Sequence, residues 1–331
     1  MTEEMTLPVC VLVATGGTIA MKIDPLRKMP VPALSGEDLL AAVPGIAELA
    51  RLEVNNFSNL PSDHMGPDNW ALLSRAVDAA LQRTDVAGVI VSHGTDTLEE
   101  AAWFLDLTLA GEKPVVLAGA QRNASTPDFD GPRNLMNAVR VCLAPEASGK
   151  GVMVVMNNQI HAARDVTKTH TSDVESFKSG DFGFLGSVDQ DRVVYSRSPL
   201  RRQHVALRGK ALPPVEIVPM YGGASGAMLN AAVAQGARGI VVQALGLGNV
   251  NVPMFEAIES AIRQGIAVVV STRVPRGRVA PVYGFAGGGS TLKAAGAVFA
   301  DNLSPQKARI LLMLALQENP DPHALQTLFD R

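Results

Sequence analysis

Val11-Leu-Val-Ala-Thr-Gly-Gly-Thr-Ile-Ala20 decides the fold: an unbroken apolar, β-branched run that ends in two glycines between two threonines. A strand with one face in water alternates apolar and polar residues, so a short continuous apolar run reads as a strand buried on both faces. The pattern recurs at Val86–Ser92, Pro114–Ala118 and Gly151–Met156, and Val9 and Cys10 extend the first run backwards. Longer helical stretches lie between, at Ser35–Val43, Pro67–Gln82, Asp96–Leu109 and Gly131–Leu143. Alternation of this kind predicts an α/β fold with a parallel sheet covered on both faces. Ser35 ahead of Gly-Glu-Asp reads as a helix N-cap, and Pro67-Asp68 as a helix start.

Around residue 196 the chain turns polar, basic and proline-flanked (SRSPLRRQHVALRGKALPP), which reads as a linker. Alternation then resumes with strands expected at Val215–Met220, Gly239–Ala244 and Ile266–Ser271. Helices are expected at Ala224–Gln235, Val252–Arg263, Pro305–Leu316 and Pro322–Phe329. The expected organisation is a larger N-terminal α/β domain over residues 1–195, a linker over 196–214, and a smaller C-terminal α/β domain over 215–331.

Composition narrows the function. With 331 residues, 47% hydrophobic and 18% charged, the chain has material for two cores and little reason to be disordered. A net charge of −3 with scattered Lys and Arg gives no footprint for nucleic acid. No run of eighteen apolar residues offers a membrane span, and MTEEMTLPVC lacks the basic start and apolar stretch of a signal peptide. The two cysteines, Cys10 and Cys142, fall in apolar segments and read as small packed hydrophobes rather than a disulfide. These features point to the cytoplasm. The six histidines show no metal-ligand spacing, so no metal and no cofactor is expected. Met153, Met156 and Met220 read as core.

In open parallel sheets, ligands bind at the carboxyl ends of strands. Two such ends are unusual here: Thr15-Gly-Gly-Thr18, and Ser92-His-Gly-Thr-Asp-Thr97 where a strand meets a helix. Each has an ordinary explanation. Gly-Gly-Thr lacks the lysine and spacing of a phosphate loop and reads equally as a structural turn; Thr95 and Asp96 suit an N-cap. Hydroxyls and a carboxylate on two neighbouring strand ends favour chemistry instead. A threonine hydroxyl attacks only if a base takes its proton, and backbone N–H groups at a helix start suit the charge that develops on an attacked amide.

These segments resemble the bacterial-type L-asparaginase/glutaminase family. Thr15-Gly-Gly-Thr-Ile-Ala20 is similar to its first signature and His93-Gly-Thr-Asp-Thr97 to its second. Further matches fall at Asp130-Gly-Pro, Arg164-Asp-Val-Thr-Lys168 with Thr169, Gly246–Asn249 and Pro305-Gln-Lys-Ala-Arg309, in order along nearly the whole chain. The resemblance implies a two-domain fold and a homotetramer of tight dimers with active sites between subunits. It implies that Thr18 is the nucleophile and that Thr95, Asp96 and Lys168 form a second triad. It also implies that Ser62, Asp63 and Asp96 hold the substrate's α-carboxylate and α-amine, with Gly17, Gly94 and Ala120 around the substrate and Asn249 contributed across an interface. Lys168 could act as a base only if burial lowered its pKa, which Asp96 opposes; an ordinary Lys–Asp ion pair is the competing reading.

The chain also departs from the family. The lid after the first signature, Met21-Lys-Ile-Asp-Pro-Leu-Arg-Lys-Met-Pro-Val-Pro32, has Met29 near the position of the family's proton-relaying tyrosine. Another hydroxyl would have to take over, Tyr283 being one candidate, or the lid serves another substrate or rate. The segment Arg276–Gly284 lacks the glutamate that secreted members send to the substrate amine, and Asp63 restores a negative charge there. The positions of the disulfide of periplasmic members are not cysteine here. The expected reaction is hydrolysis of L-asparagine to L-aspartate and ammonia. Broader action on glutamine or D-asparagine and a low-activity amino-acid-binding regulator are the alternatives. His93 is expected to orient its loop.

Overall fold

The computed structural model describes residues 7–209, 211–318 and 320–331, so residues 1–6, on which the signal-peptide reading rests, lie outside the described residues. The chain separates into two compact units, one up to His204 and one from Val205.

In the first unit β1 (Val9–Gly16) is followed by a hairpin, β2 (Met21–Ile23) and β3 (Pro30–Pro32), and by α1 (Gly36–Ala41). Then come β4 (Arg51–Leu60), α2 (Pro67–Leu81), β5 (Val86–Ser92), α3 (Leu98–Thr108), β6 (Val115–Ala118) and α4 (Gly131–Leu143). β7 (Val152–Met156), β8 (Gln159–Ala162), the short pair β9 (Thr167–Lys168) and β10 (Phe177–Lys178), β11 (Gly186–Val188) and β12 (Val193–Tyr195) complete it. The main sheet runs β12-β11-β8-β7-β6-β5-β1-β4. From β7 to β4 every pairing is parallel, while β8, β11 and β12 extend the sheet antiparallel. The sheet is therefore mixed rather than wholly parallel. A two-residue turn at Asn157-Asn158, both left-handed (φ 46° and 63°), reverses the chain after β7, which no crossover helix could do as briefly.

Both faces are covered. Cys10, Leu12, Ile90, Val116 and Met153 bury into one cluster with Leu39 of α1 and Leu135, Ala138 and Cys142 of α4. The alternate residues Val11, Val13, Val89, Val91 and Leu117 are equally buried. α2 and α3 pack against β5 and β7 there, joined by Trp70 against Phe104 at 5.9 Å. Cys10 and Cys142 are free thiols in this core. Met153, Met156 and Met220 are each at most 4% exposed.

Local signals explain the helix starts. The Ser35 side chain accepts from the Asp38 N–H while Asp38 accepts from the Ser35 N–H, a reciprocal capping box. Pro67 opens α2 at its first position.

The second unit carries β13 (Val215–Pro219), α5 (Ala227–Ala234), β14 (Gly239–Ala244), α6 (Val252–Arg263) and β15 (Ala267–Thr272). α7 (Gly289–Ala294), β16 (Val298–Phe299), α8 (Pro305–Ala315) and α9 (Pro322–Phe329) follow. Its four strands are parallel in the order β13-β14-β15-β16. Val218, Ile240, Val242 and Val270 pack with Leu229, Met254 and Ile258 of α5 and α6, and α8 packs against β13, β14 and β15. No helix among the described residues is long and apolar enough to cross a membrane.

Candidate active site

Sheet order decides which segments meet. β6, β5, β1 and β4 are neighbours, so their carboxyl ends deliver four loops side by side. These are Gly119–Arg122 after β6, His93–Thr97 after β5, Gly17–Thr18 after β1 and Ser62–His64 after β4. Their contact is close. Gly17 has φ +83°, a left-handed conformation that favours glycine, and a Cβ there would collide with Gly94 Cα. A Cβ on Gly94 would in turn lie 2.7 Å from Ser62 Oγ. The two signature turns thus meet glycine to glycine, with Thr18 and Thr95 each one residue beyond the contact.

Thr18 opens a short 3-10 turn, Thr18–Ala20, and is half-buried. Its hydroxyl takes part in no hydrogen bond among the described residues. Thr95, only 4% exposed, has a partner: Lys168 Nζ lies 2.9 Å from Thr95 Oγ1 and 2.7 Å from Asp96 Oδ1. The lysine side chain is 15% exposed and the aspartate side chain 71%, so one end of the pair is screened and the other faces solvent.

The N-cap reading of Thr95 and Asp96 fails here. α3 begins at Leu98, its N-cap is Thr97, and no side chain caps it. The Thr97 hydroxyl donates instead to the Ser62 carbonyl (2.6 Å), tying the β5 and β4 loops together. Thr95 and Asp96 are left free to face Lys168.

His93 shapes the same turn. Its Nδ1 lies 2.8 Å from the Gly94 carbonyl oxygen, and the ring is fully buried. Burial pushes the imidazole down to about 4, against the opposing pull of the Gly94 carbonyl, so the ring is neutral near pH 7.

Sequence reading missed three residues that hold this cluster. Glu99, 8% exposed in the first turn of α3, accepts from the Lys168 backbone N–H at 2.6 Å. Gln121 places Oε1 3.4 Å from Thr95 Oγ1 while its Nε2 donates to Ser176 Oγ. Ser176 is fully buried and precedes β10, the strand paired with β9 that carries Lys168. An acid early in a helix looks like any acid near a helix dipole, and the partners of Gln121 lie 26 and 55 residues away in sequence, so no local signal marked them.

Of the remaining candidates, Ser62 is 5% exposed and Asp63 is exposed beside His64, whose Nε2 is 3.8 Å from Asp63 Oδ2. Ala120 is fully buried in the loop after β6. That loop is pinned by Asp130, which accepts from the N–H groups of Gln121 (3.2 Å) and Arg122 (3.0 Å). Asn249 belongs to the second unit, where its N–H donates to the Leu245 carbonyl; its Oδ1 is buried without a partner among the described residues.

The segment over residues 21–32, expected to be a lid, is a structured hairpin. Asp24 Oδ1 accepts from the N–H groups of Leu26 (2.8 Å) and Arg27 (2.7 Å), and the Asp24 N–H donates to Met29 O. Ser125 Oγ accepts from the Ile23 N–H at 2.9 Å, which anchors the hairpin to the segment before α4. Met29 is 54% exposed. Tyr283, in the second unit, stacks on Phe285 with ring centroids 5.7 Å apart and is 45% exposed.

Strand-end loops that bring two threonines and an aspartate beside the lysine of β9 define an α/β protein with a polar cluster at the carboxyl ends of its parallel strands. The family follows from comparison with known proteins. Residues 9–201 match the family model "Asparaginase, N-terminal" and residues 214–329 match "Glutaminase/Asparaginase C-terminal domain". The chain is 40% identical to the "Probable L-asparaginase periplasmic" of Haemophilus influenzae, covering 98% of this chain and 93% of that one. It is 37% identical to "L-asparaginase 2" of Escherichia coli (99% and 94% covered) and 34% identical to "Glutaminase-asparaginase" of Pseudomonas fluorescens (96% and 89%). The chain belongs to the asparaginase family.

Proposed function

We propose that this chain hydrolyses L-asparagine to L-aspartate and ammonia through an acyl-enzyme on Thr18. One observation carries the reading: the Thr95–Lys168–Asp96 cluster, hydrogen-bonded at 2.9 and 2.7 Å, directly beside the Gly17–Gly94 contact that adjoins Thr18. The relatives named L-asparaginase support the substrate.

In this mechanism Thr18 Oγ1 bonds to the amide carbon and its proton passes toward the Thr95–Lys168 pair. The carbon–nitrogen bond breaks and ammonia leaves with a proton returned to it. Water then attacks the ester, freeing aspartate and restoring the Thr18 hydroxyl. Backbone N–H groups of the loops at Gly94 and Ala120 would receive the developing oxyanion, that of Gly17 being given to the Leu60 carbonyl. Ser62 holds the substrate carboxylate, while Asp63 and the exposed oxygen of Asp96 hold its ammonium. The full site is completed in a homotetramer by Asn249 of a neighbouring subunit, as the resemblance to the family implies. Two reduced, buried cysteines favour the cytoplasm as the compartment.

A second reading is broader action on glutamine or D-asparagine, and the relative named glutaminase-asparaginase favours its glutamine part. One methylene is worth only about 1–3 kcal/mol of discrimination in a pocket. Ammonia release from L-Asn, L-Gln and D-Asn, for wild type and Thr18→Ala, tests both. Turnover of L-Asn, lost in Thr18→Ala, is expected. No turnover of any of the three leaves an amino-acid-binding regulator as the better account, and turnover that survives Thr18→Ala moves the nucleophile to Thr95.

A further inference from the structure

Gln121 touches both Thr95 and the support of the Lys168 hairpin. Its Oε1 lies 3.4 Å from Thr95 Oγ1, and its Nε2 donates to the fully buried Ser176 Oγ. The Ser176 carbonyl accepts from both the N–H (2.7 Å) and the hydroxyl (2.8 Å) of Thr169, next to Lys168. The backbone of Gln121 is fixed independently through Asp130. The amide therefore bridges the loop after β6, the turn after β5 and the β9–β10 hairpin.

The hydrogen-bond inventory of Thr95 gives this bridge a chemical consequence. The hydroxyl has one proton and can accept from others. With Lys168 as an ammonium, Nζ donates to Thr95 Oγ1 and the hydroxyl proton goes to Gln121 Oε1. For a neutral Lys168 to take the proton, the hydroxyl must turn to donate to Nζ, and Gln121 then loses its donor. An acceptor at this position thus favours the ammonium form, and the length of the bond makes the turn inexpensive.

We infer that Gln121 is a positioning residue that aims the Thr95 hydroxyl and sets the pH at which the Thr95–Lys168 pair becomes competent to take a proton. The charged groups facing the pair are Asp96 in the turn before α3 and Glu99 within α3, with neutral His93 at the end of β5 and Asp130 at the start of α4, behind Gln121. Glu175 and Lys178, on the β9–β10 hairpin, pair with each other.

This inference rests on the proposed role of Lys168, and the test separates the two. The probe is the pH dependence of kcat/KM for L-asparagine in wild type, Gln121→Met, Gln121→Glu and Lys168→Met. Gln121→Met removes the acceptor and should move the acidic limb to lower pH, by roughly half a unit at most because the bond is long at 3.4 Å. Gln121→Glu keeps the shape, adds a charge beside the lysine and should move the limb to higher pH. Opposite displacements with KM within about threefold of wild type are a result that simple misfolding does not give. A limb lost in Lys168→Met yet unmoved, or moved in one direction by both Gln121 variants, overturns the inference alone. A limb that persists unchanged in Lys168→Met overturns both this inference and the reading of Lys168 as the proton acceptor. If Gln121→Met does not fold, Gln121→Ala removes the same acceptor without adding a charge, and its limb is read in place of the methionine variant's.

Discussion

Glu99→Ala removes a support of the cluster without touching its reactive groups. The carboxyl oxygen accepts from the Lys168 N–H at 2.6 Å, and the residue is 8% exposed. Alanine would leave that N–H without its partner in a half-buried strand, which costs about 1–3 kcal/mol. For a body the size of the first unit, about 2 kcal/mol corresponds to a Tm lowered by roughly 4–8 °C. Activity should fall further than stability. Lys168 sits on a two-residue strand, and a reactive group displaced by about 1 Å loses on the order of a hundredfold in rate. Glu99→Gln keeps an acceptor oxygen and should lose less on both counts. Calorimetry and steady-state ammonia release would be run on the three proteins together. An alanine variant within about 0.5 kcal/mol of wild type and with unchanged kcat would refute the claim that Glu99 holds the Lys168 backbone.

Gly17→Ala should fold poorly and lose activity, because φ +83° and the Gly94 contact each oppose a Cβ; a cost above about 2 kcal/mol by urea unfolding is expected. Lys168→Met should lower kcat by about 10²–10⁴-fold, the range for a proton-transfer group, and leave circular dichroism unchanged. His93 makes stability depend on pH in a definite direction. The folded ring titrates near 4 and the unfolded one near 6.5, so the unfolded state binds the proton first and stability falls as pH drops from about 6.5 to 4. The full loss from this group is roughly 3 kcal/mol. Urea unfolding at several pH values should show that part of the slope vanish in His93→Gln.

The parts legible in the sequence are those where local pattern and tertiary role coincide. β5 over Val86–Ser92, α4 over Gly131–Leu143, β14 over Gly239–Ala244 and α6 over Val252–Arg263 fall where continuous apolar runs and apolar periodicity put them. The antiparallel extension did not show, because β8, β11 and β12 are three or four residues long, too short to display a period. β4 escaped for another reason: at the sheet edge its residues are half-buried or exposed, so Arg51–Leu60 carries polar side chains that a buried strand would not. Within the site, Thr18, Thr95, Asp96 and Lys168 were visible as motif residues. Glu99, Gln121 and Ser176 were not, since each matters only through a partner that the sheet order brings near. Asp24 caps the lid turn in a way that a reading of the lid as charge and proline alone did not anticipate.

The most direct test of the central claim is rapid-quench trapping of the enzyme during turnover of L-asparagine, followed by proteolysis and mass spectrometry. An aspartyl ester on Thr18, absent in Thr18→Ala, is the predicted result. An ester on Thr95, or full turnover with no acylated residue at any quench time, would contradict the assignment of Thr18 as nucleophile.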